Sequence, residues 1–360
     1  MAAAAGAGRC FPLVALALAI AGCASQASQA PHAQASTAAT ATLTTPAARV
    51  ITHLKRPSGL AVGPAGQLYL ADDGLNEILQ VLPGGRFTVI AGNGTAGFSG
   101  DGGPAASASL NDPGGLTVAR SGTLYFADSG NNRIRAVSPS GVISTVAGTG
   151  RPGPWWVPSG TPALKARLVS PADVAIGPGR ALYIADSGAS EILTMTPAGK
   201  LILVAGTRRF AGVWGIGRPA AEASADGPDG LAFDHAGDLF IAGFNTKTLL
   251  MITPSGIMKL PAGTDGFYPR DSGGLATTPD GTVLAMNTQQ IDQITSHGIQ
   301  AIYNLPAHPR VGIQGFLPDG IAIAPNGTLY LDTWRGNGYA NKTALIAIRP
   351  DGTVRVLWQS

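Results

Sequence analysis

The sequence predicts an all-β fold, a six-bladed β-propeller built of four-stranded antiparallel blades. Charged residues make up only 12% of the 360 residues and 50 are glycine, a composition that favours short strands and tight turns over solvated helices. A block of similar sequence recurs six times, and a fixed repeat of this length is typical of a propeller or a solenoid. The first core residues of the six copies are Leu60, Leu116, Val174, Leu231, Leu275 and Ile321, with spacings of 44 to 58 residues.

Each copy is predicted to hold four short strands, here named a to d. In the second copy they are Leu116–Val118, Leu124–Ala127, Ile134–Val137 and Ile143–Val146. They are rich in apolar, β-branched and aromatic residues, and Gly, Pro, Ser or Asn separates them. Four strands per repeat of this size are typical of a propeller blade. The copies near Pro57, Pro113 and Pro171 are the most alike, and the last three match them in part.

The repeated pattern P-x-G-L-A-V, G-x-L-Y-I-A-D, N-R-I, V-A-G resembles the NHL repeat. The segment from Ala91 to Ala105, AGNGTAGFSGDGGPA, is similar to the linker between blades of bacterial NHL proteins. The resemblance covers roughly residues 50–360. It implies a β-propeller that is used mostly to bind proteins or other ligands. Related propellers include lactonases and a zinc amidating lyase.

The N-terminal segment is predicted to be a lipoprotein signal peptide covering residues 1–22. The apolar run FPLVALALAI at 11–20 is too short to span a membrane, and Ile20-Ala-Gly-Cys23 follows it. These four residues resemble a bacterial lipobox, which implies a lipid on Cys23 and a location on the extracytoplasmic side of the cell membrane. The alternative is an ordinary signal peptide. Residues 23–48, mostly Ala, Ser, Thr and Gln, are predicted to form a disordered tether, and residues 49–360 the propeller.

How the ring closes is left open by the sequence. Arg49–Leu54 and Thr353–Leu357 both look like outer strands. Either the first completes the last blade, or it adds an extra edge elsewhere. Some closure is expected, because an open array would expose sheet edges.

The long connections between blades are predicted to form a binding face. The d–a connections and the b–c turns lie at the same end of a blade when its strands alternate in direction, and the three longest connections lie between Asn93 and Gly227. Aromatic and arginine side chains on loops are typical of binding anchors, although they also pack loops against the ring. The ligand-binding candidates are Phe98, Trp155, Trp156, Trp214, Trp334, Arg208 and Arg335.

Three aspartates are candidates for a cation site at the axis. Asp173, Asp229 and Asp319 each follow the proline that opens a strand a. Because strand a lines the centre of a propeller, their carboxylates are expected to converge and to suit Ca²⁺ or a cationic group. Turn capping is the alternative role.

Aspartates that end strand b are interpreted as architectural. They recur at one blade position and are predicted to accept hydrogen bonds from the b–c turn or to pair with Arg133; they are Asp72, Asp128, Asp186 and Asp332. Motifs of hydrolases, ATPases and metalloproteases are missing from the sequence, so no catalytic residue is predicted. The net charge of +3 gives no case for nucleic acid.

The function expected from these features is that of a lipid-anchored binding module at the cell surface, which recognises a protein, glycan or other envelope ligand through the long loops. Without firm metal ligands, no cofactor is predicted beyond the weak Ca²⁺ candidate. One alternative is a metal-dependent hydrolase or lyase of the lactonase-like type that uses the axial aspartates. Another is a structural envelope protein without a specific ligand.

Overall fold

The computed structural model describes residues 49–154, 156–206, 212–225, 227–243, 248–262, 274–286, 290–295, 298–304, 318–333 and 343–360. Within them lie six four-stranded antiparallel units, and in each one the strands are neighbours in chain order. The predicted six-bladed β-propeller is therefore confirmed. The helical segments of the described residues are 3₁₀ turns of three residues each. No helix in the described part of the chain is long and apolar enough to cross a membrane.

The first three blades repeat with nearly constant strand lengths. Blade 1 consists of Pro57–Val62, Leu68–Asp72, Glu77–Leu82 and Arg86–Ala91; blade 2 of Pro113–Val118, Leu124–Asp128, Arg133–Val137 and Ile143–Ala147; blade 3 of Pro171–Ile176, Leu182–Asp186, Glu191–Met195 and Lys200–Ala205.

Strand lengths are less regular in blades 4 and 5, whereas the strands of blade 6 are as long as those of blade 3. Blade 4 consists of Pro228–Phe233, Leu239–Gly243, Leu249–Ile252 and Met258–Lys259; blade 5 of Leu275–Thr277, Val283–Met286, Gln290–Thr295 and Gly298–Asn304; blade 6 of Pro318–Ile323, Leu329–Thr333, Ala344–Ile348 and Val354–Gln359.

The apolar core lies between adjacent blades. Between blades 1 and 2, for example, Ile78 packs in one cluster with Leu116 and Phe126, and all three are buried. The linker between these blades adds Ala105 and Leu110 to the same cluster. Linkers therefore fill the space between blades and are part of the core.

Short linker segments also cover the outer edges of blades. Val50–Ile51 pairs antiparallel with strand d of blade 1, and Thr161–Pro162 pairs in the same way with strand d of blade 3. Pro104 and Pro219 form single bridges to Val142 and Ile257, which directly precede the outer strands of blades 2 and 4. Because a bare edge strand invites pairing with other chains, this cover protects the rim of the ring.

The end of each of three linkers is fastened to the preceding b–c turn. Asn76 Oδ1 accepts a hydrogen bond from Asp112 N at 3.2 Å, and Asn132 Oδ1 accepts one from Ser170 N at 2.9 Å. Ser190 Oγ accepts the corresponding bond from Gly227 N at 3.2 Å. The prediction that d–a connections and b–c turns meet at one end of the blades is therefore confirmed at three joints.

The ring closes without exchange of a strand between its ends. Val354–Gln359 is the outer strand of blade 6, whereas Val50–Ile51 adds an extra edge to blade 1. Of the two alternatives open from the sequence, the extra edge is the one found. The ends meet through Trp358, whose Nε1 donates to Thr52 O at 2.8 Å and whose ring meets Phe87 edge to face at 6.2 Å.

Truncating Trp358 is expected to weaken this closure. Trp358→Ala removes both the hydrogen bond and the ring contact, so we expect the free energy of unfolding to fall by about 3 kcal/mol. Trp358→Phe keeps an aromatic ring and loses the donor, and it should cost about 1 kcal/mol. Urea unfolding followed by circular dichroism measures both, and equal stability of all three proteins would contradict this account of the closure.

Candidate functional site

Exposed apolar side chains gather on the linker that enters blade 4. Trp214 is 37% exposed and Ile216 is 41% exposed, and Leu260, just after the outer strand of blade 4, is also 41% exposed. Gly217 N donates to Met258 O at 2.8 Å and Met258 N donates to Arg218 O at 3.0 Å. These bonds hold the linker against the outer strand. We name Trp214, Ile216, Arg218 and Leu260 the blade 4 rim surface.

The turn that carries this surface is well defined. Val213–Trp214 pairs antiparallel with Ser224–Ala225, and Arg218 N donates to Gly215 O at 3.0 Å. Gly215 has φ of 88°, and a Cβ there would overlap Ala223, so glycine is required at this position. The guanidinium carbon of Arg218 lies 5.0 Å from the Trp214 ring centroid, within the range of a cation–π contact.

Phe98 lies on the preceding long linker, between blades 1 and 2, and is 42% exposed. The guanidinium carbons of Arg133 and Arg135 lie 3.5 and 4.8 Å from its ring centroid. Its ring therefore packs against two cations of blade 2. These contacts fit the packing role that the sequence left open for the loop aromatics.

An ion network centred on the buried Arg135 lies next to Phe98. Arg135 is fully buried and donates to Asp128 Oδ2 at 3.1 Å and to Asp101 Oδ1 at 2.8 Å. It also donates to Ser99 O at 3.1 Å. Because Asp101 and Ser99 belong to the linker and Asp128 to blade 2, Arg135 fastens one to the other.

The other loop candidates have different outcomes. Trp156 is half-buried, and the adjacent Val157 N donates to the buried carboxylate of Glu191 at 2.9 Å. Trp155, Arg208, Trp334 and Arg335 lie outside the described residues, as does Cys23. The sequence reasoning missed Ile216, Arg218 and Leu260. For Ile216 and Arg218 the signal was available in G-V-W-G-I-G-R, which aligns with G-F-S-G-D-G-G of the linker before blade 2 and replaces polar or small residues with apolar and basic ones.

A cavity of about 550 Å³ lies at the centre of the ring, lined by the inner strands of all six blades. Backbone and small apolar side chains form most of its wall. Its carboxylates are Asp73, Asp112, Asp173 and Asp229, and no Lys, Arg or His belongs to the lining that the described residues form. The cavity is therefore acidic.

Asp173 occupies a position at which other copies of the repeat carry glycine. Four copies read P-x-G-L or P-x-G-I, whereas the third reads Pro171-Ala-Asp-Val. A bulge in strand a follows Pro171 and sets Asp173 opposite Ala185 of strand b. Its Oδ2 accepts from Leu231 N of blade 4 at 2.8 Å, and its Oδ1 accepts from Val174 N at 2.7 Å.

The Asp173 carboxylate also approaches blade 2 closely. A Cβ at Gly115 would overlap it, so the glycine of blade 2 makes room for the carboxylate of blade 3. Although part of its surface is open to the cavity, protein atoms enclose the group, and this burial raises the pKa of Asp173 to about 7. The two backbone N–H donors oppose the shift but do not cancel it.

The other axial candidates are only partly described. Asp229 lines the same cavity as Asp173, whereas the side chain of Asp319 is not among the described parts of the structure. Within the described ranges, no three His, Cys, Asp or Glu side chains are grouped so that they could hold a metal ion. The site of three aspartates stays a prediction.

The other two acids of the cavity mouth share a cation. Arg56 pairs with Asp73 and lies 3.4 Å from Asp112 Oδ1. Burial raises the pKa of Asp73 to about 6, and Arg56 opposes this rise. The charges of Asp73 and Asp112 are thus compensated, whereas among the described residues Asp173 is met by backbone N–H dipoles alone.

The aspartates that end strand b act as expected of architectural groups. Asp72 accepts from Lys55 N, Arg56 N and Leu75 N at 2.7, 2.9 and 3.0 Å. The last of these is the predicted bond from the b–c turn. For Asp128 the paired arginine is Arg135 rather than Arg133. Asp186 accepts from Val169 N at 2.7 Å.

The sequence matches the family model described as the Teneurin NHL domain over residues 23–138. Teneurin-1 of Mus musculus is 28% identical over 272 residues, which are 62% of this chain and 10% of that protein. Teneurin-4 of Mus musculus is 27% identical over 315 residues, 72% of this chain and 11% of that protein. The chain thus spans about a tenth of the length of these relatives. Together with the six blades, the match supports an NHL-type propeller.

Solved propellers are similar in fold at low sequence identity. A streptogramin B lyase structure aligns with a TM-score of 0.53 and 17% identity over 86% of this chain and 87% of that one. A gluconolactonase from Xanthomonas campestris aligns with a TM-score of 0.51 and 15% identity over 79% of this chain and 86% of that one. At such identity the likeness shows the fold alone.

Proposed function

We propose that this protein is a binding module of the cell envelope, held on the extracytoplasmic side of the membrane by a lipid on Cys23, and that it recognises a protein partner. The observation that carries the proposal is the blade 4 rim surface, where Trp214 and Ile216 are each more than a third exposed. Aromatic, aliphatic and arginine side chains on a pre-organised turn are the composition of binding hot spots. The likeness to NHL-type propellers supports a binding role.

The turn that carries Trp214 and Ile216 favours binding because its backbone is already ordered before a partner arrives. The turn is held by strand pairing with Ser224–Ala225 and by bonds to Met258. Side chains on a turn already fixed lose less conformational entropy when a partner covers them. Arg218 next to the Trp214 ring adds a charge at the edge of an apolar contact.

Site-specific cross-linking tests the proposal. A photoreactive residue at position 216 is expected to capture a partner in intact cells, and the same residue at position 302 is the control. Ile302 is 43% exposed, on the outer strand of blade 5 and away from the long linkers. The identified partner is then purified and titrated. Trp214→Ala should weaken its binding at least about tenfold without lowering the melting temperature.

Equal capture at positions 216 and 302, or unchanged affinity of Trp214→Ala, would reject the rim surface as the binding site.

The lipid anchor on Cys23 is tested separately. Cys23→Ala is expected to move the full-length protein from the membrane fraction to the soluble fraction. Continued partition into detergent would reject the lipid and leave the binding role intact.

A metal-dependent hydrolase or lyase is the second candidate. The placement of Asp173 and Asp229 on one central cavity favours it. Calorimetric titration of the Cys23→Ala protein with Ca²⁺ and Zn²⁺ is the test. Uptake of one ion per chain that is lost in Asp229→Asn would support this candidate, and no uptake would remove its basis.

A further inference from the structure

We infer that the central cavity is a binding site for a small organic ammonium ion, with Asp173 as the counter-ion and the inner strands as its wall. This site is separate from the rim surface, and it goes beyond the binding of a protein partner. It rests on the cavity, on the placement of one carboxylate in its wall, and on a lining in which the described residues supply no basic side chain.

The size and wall of the cavity suit a small organic ligand. Its volume of about 550 Å³ lies in the range of about 300–1,000 Å³ that is usual for such ligands. Apolar side chains from strand a of different blades line it, among them Val62, Val118, Ile176, Phe233 and Ile323. Polar backbone groups share the wall with these side chains, so a short alkyl group with a polar end suits it, whereas a hydrated metal ion alone would leave most of the cavity empty.

The carboxylate is set into the wall by the sequence itself. Asp173 replaces the glycine of the repeat, and Gly115 of blade 2 leaves the space that its carboxylate fills. Hydrogen bonds from Leu231 N and Val174 N fix both oxygens. Each oxygen keeps a second lone pair for a donor in the cavity.

The charges around Asp173 favour a cation rather than a neutral donor. Asp229 comes from strand a of blade 4, and Asp73 and Asp112 line the mouth, where Arg56 pairs with both. No basic side chain lines the cavity within the described ranges. A buried carboxylate without a counter-ion is costly, and an ammonium group supplies the missing charge together with N–H donors.

Ammonium chemistry also predicts how binding depends on pH. The ionised form of Asp173 is the one that binds, and burial raises its pKa to about 7. Affinity should therefore increase from pH 6 to pH 8, and binding at pH 6 should release a proton into the buffer.

Calorimetry with n-butylammonium as the probe tests the inference, using the full chain with Cys23→Ala. n-Butanol and butyrate are the neutral and anionic controls of the same shape, and Ca²⁺ is the inorganic control. We expect butylammonium to bind more tightly at pH 8 than at pH 6, and neither organic control to bind. Asp173→Asn should weaken binding at least about tenfold. Asp351→Asn, which removes a carboxylate from an exposed turn of blade 6, should leave it unchanged.

Three results would overturn the inference: equal binding of n-butanol, unchanged affinity of Asp173→Asn, or Ca²⁺ uptake that excludes butylammonium. Titrations at pH 6 in two buffers of different ionisation enthalpy provide a measurement that needs no variant. Absence of proton release there would also overturn it. Failure at the cavity leaves the rim surface untouched, because the cross-linking experiment uses other residues.

Discussion

Replacing Arg135 with leucine is expected to lower the free energy of unfolding by about 3 kcal/mol, since removal of one partner leaves a buried charge uncompensated. Asp128 is fully buried, and among the described residues it would keep Asn111 N and Asn131 Nδ2 as donors, at 2.8 and 2.9 Å. Leucine fits the position, because Leu79 and Leu193 stand at the matching places in blades 1 and 3. Chemical denaturation at pH 8 is the measurement.

The pH dependence of this loss separates charge from packing. Burial raises the pKa of Asp128 and the Arg135 charge opposes that rise. Without the arginine the pKa of Asp128 should rise further, so at low pH the group is neutral and the penalty shrinks. The double variant Arg135→Leu with Asp128→Asn should recover much of the loss at pH 8. A loss that is the same at pH 4 and pH 8 would contradict the electrostatic account.

The repeat frame made the architecture predictable, because each blade buries its strands by the same alternation of apolar residues. Strand a of blade 2, for instance, was expected to begin its core at Leu116, and Leu116 is buried between two blades. The closure was not predictable, because Arg49–Leu54 and Thr353–Leu357 have similar patterns. Pairing is decided by contacts such as that of Trp358 with Thr52, which lie far apart in the sequence.

The site was less predictable than the fold, because side-chain contacts rather than periodicity decide exposure. Phe98 and Trp214 look alike as aromatic residues on long linkers. In the structure both rings are partly exposed and both lie against an arginine, but Phe98 covers the ion network of Arg135, whereas Trp214 lies next to the exposed Ile216. The role of Asp101 was not predictable for the same reason. Its carboxylate binds Arg135, which is more than thirty residues further along the chain.

Asp173 is a departure from the repeated sequence pattern, and the structure shows what the aspartate does there. A position that carries glycine in the other five copies carries aspartate in the third, and its carboxylate lines the central cavity. Departures from a local rule that bring a stability cost are expected at functional positions. The size of that cost is measurable, because it depends on pH.

The free energy of unfolding of the wild-type protein is expected to fall as pH rises from about 4 to above 7. In Asp173→Asn it is expected to fall less over the same range. The pKa of Asp173 is about 7 in the folded protein and close to its ordinary value of 3.8 in the unfolded chain. Between these values the folded state holds a proton that the unfolded state has released, so rising pH favours unfolding. The full difference corresponds to about 4 kcal/mol.

Urea unfolding of both proteins at pH 5 and pH 8 isolates this contribution. Asp73, whose pKa is about 6, and the other buried carboxyl groups titrate in both proteins and cancel in the comparison. We expect the stability of Asp173→Asn relative to wild type to be higher at pH 8 than at pH 5, by up to about 3 kcal/mol. If the two proteins show the same pH slope, Asp173 is ionised without penalty in the folded state. A cation must then already compensate it, or the carboxylate must be better hydrated than its enclosure by blades 2, 3 and 4 indicates.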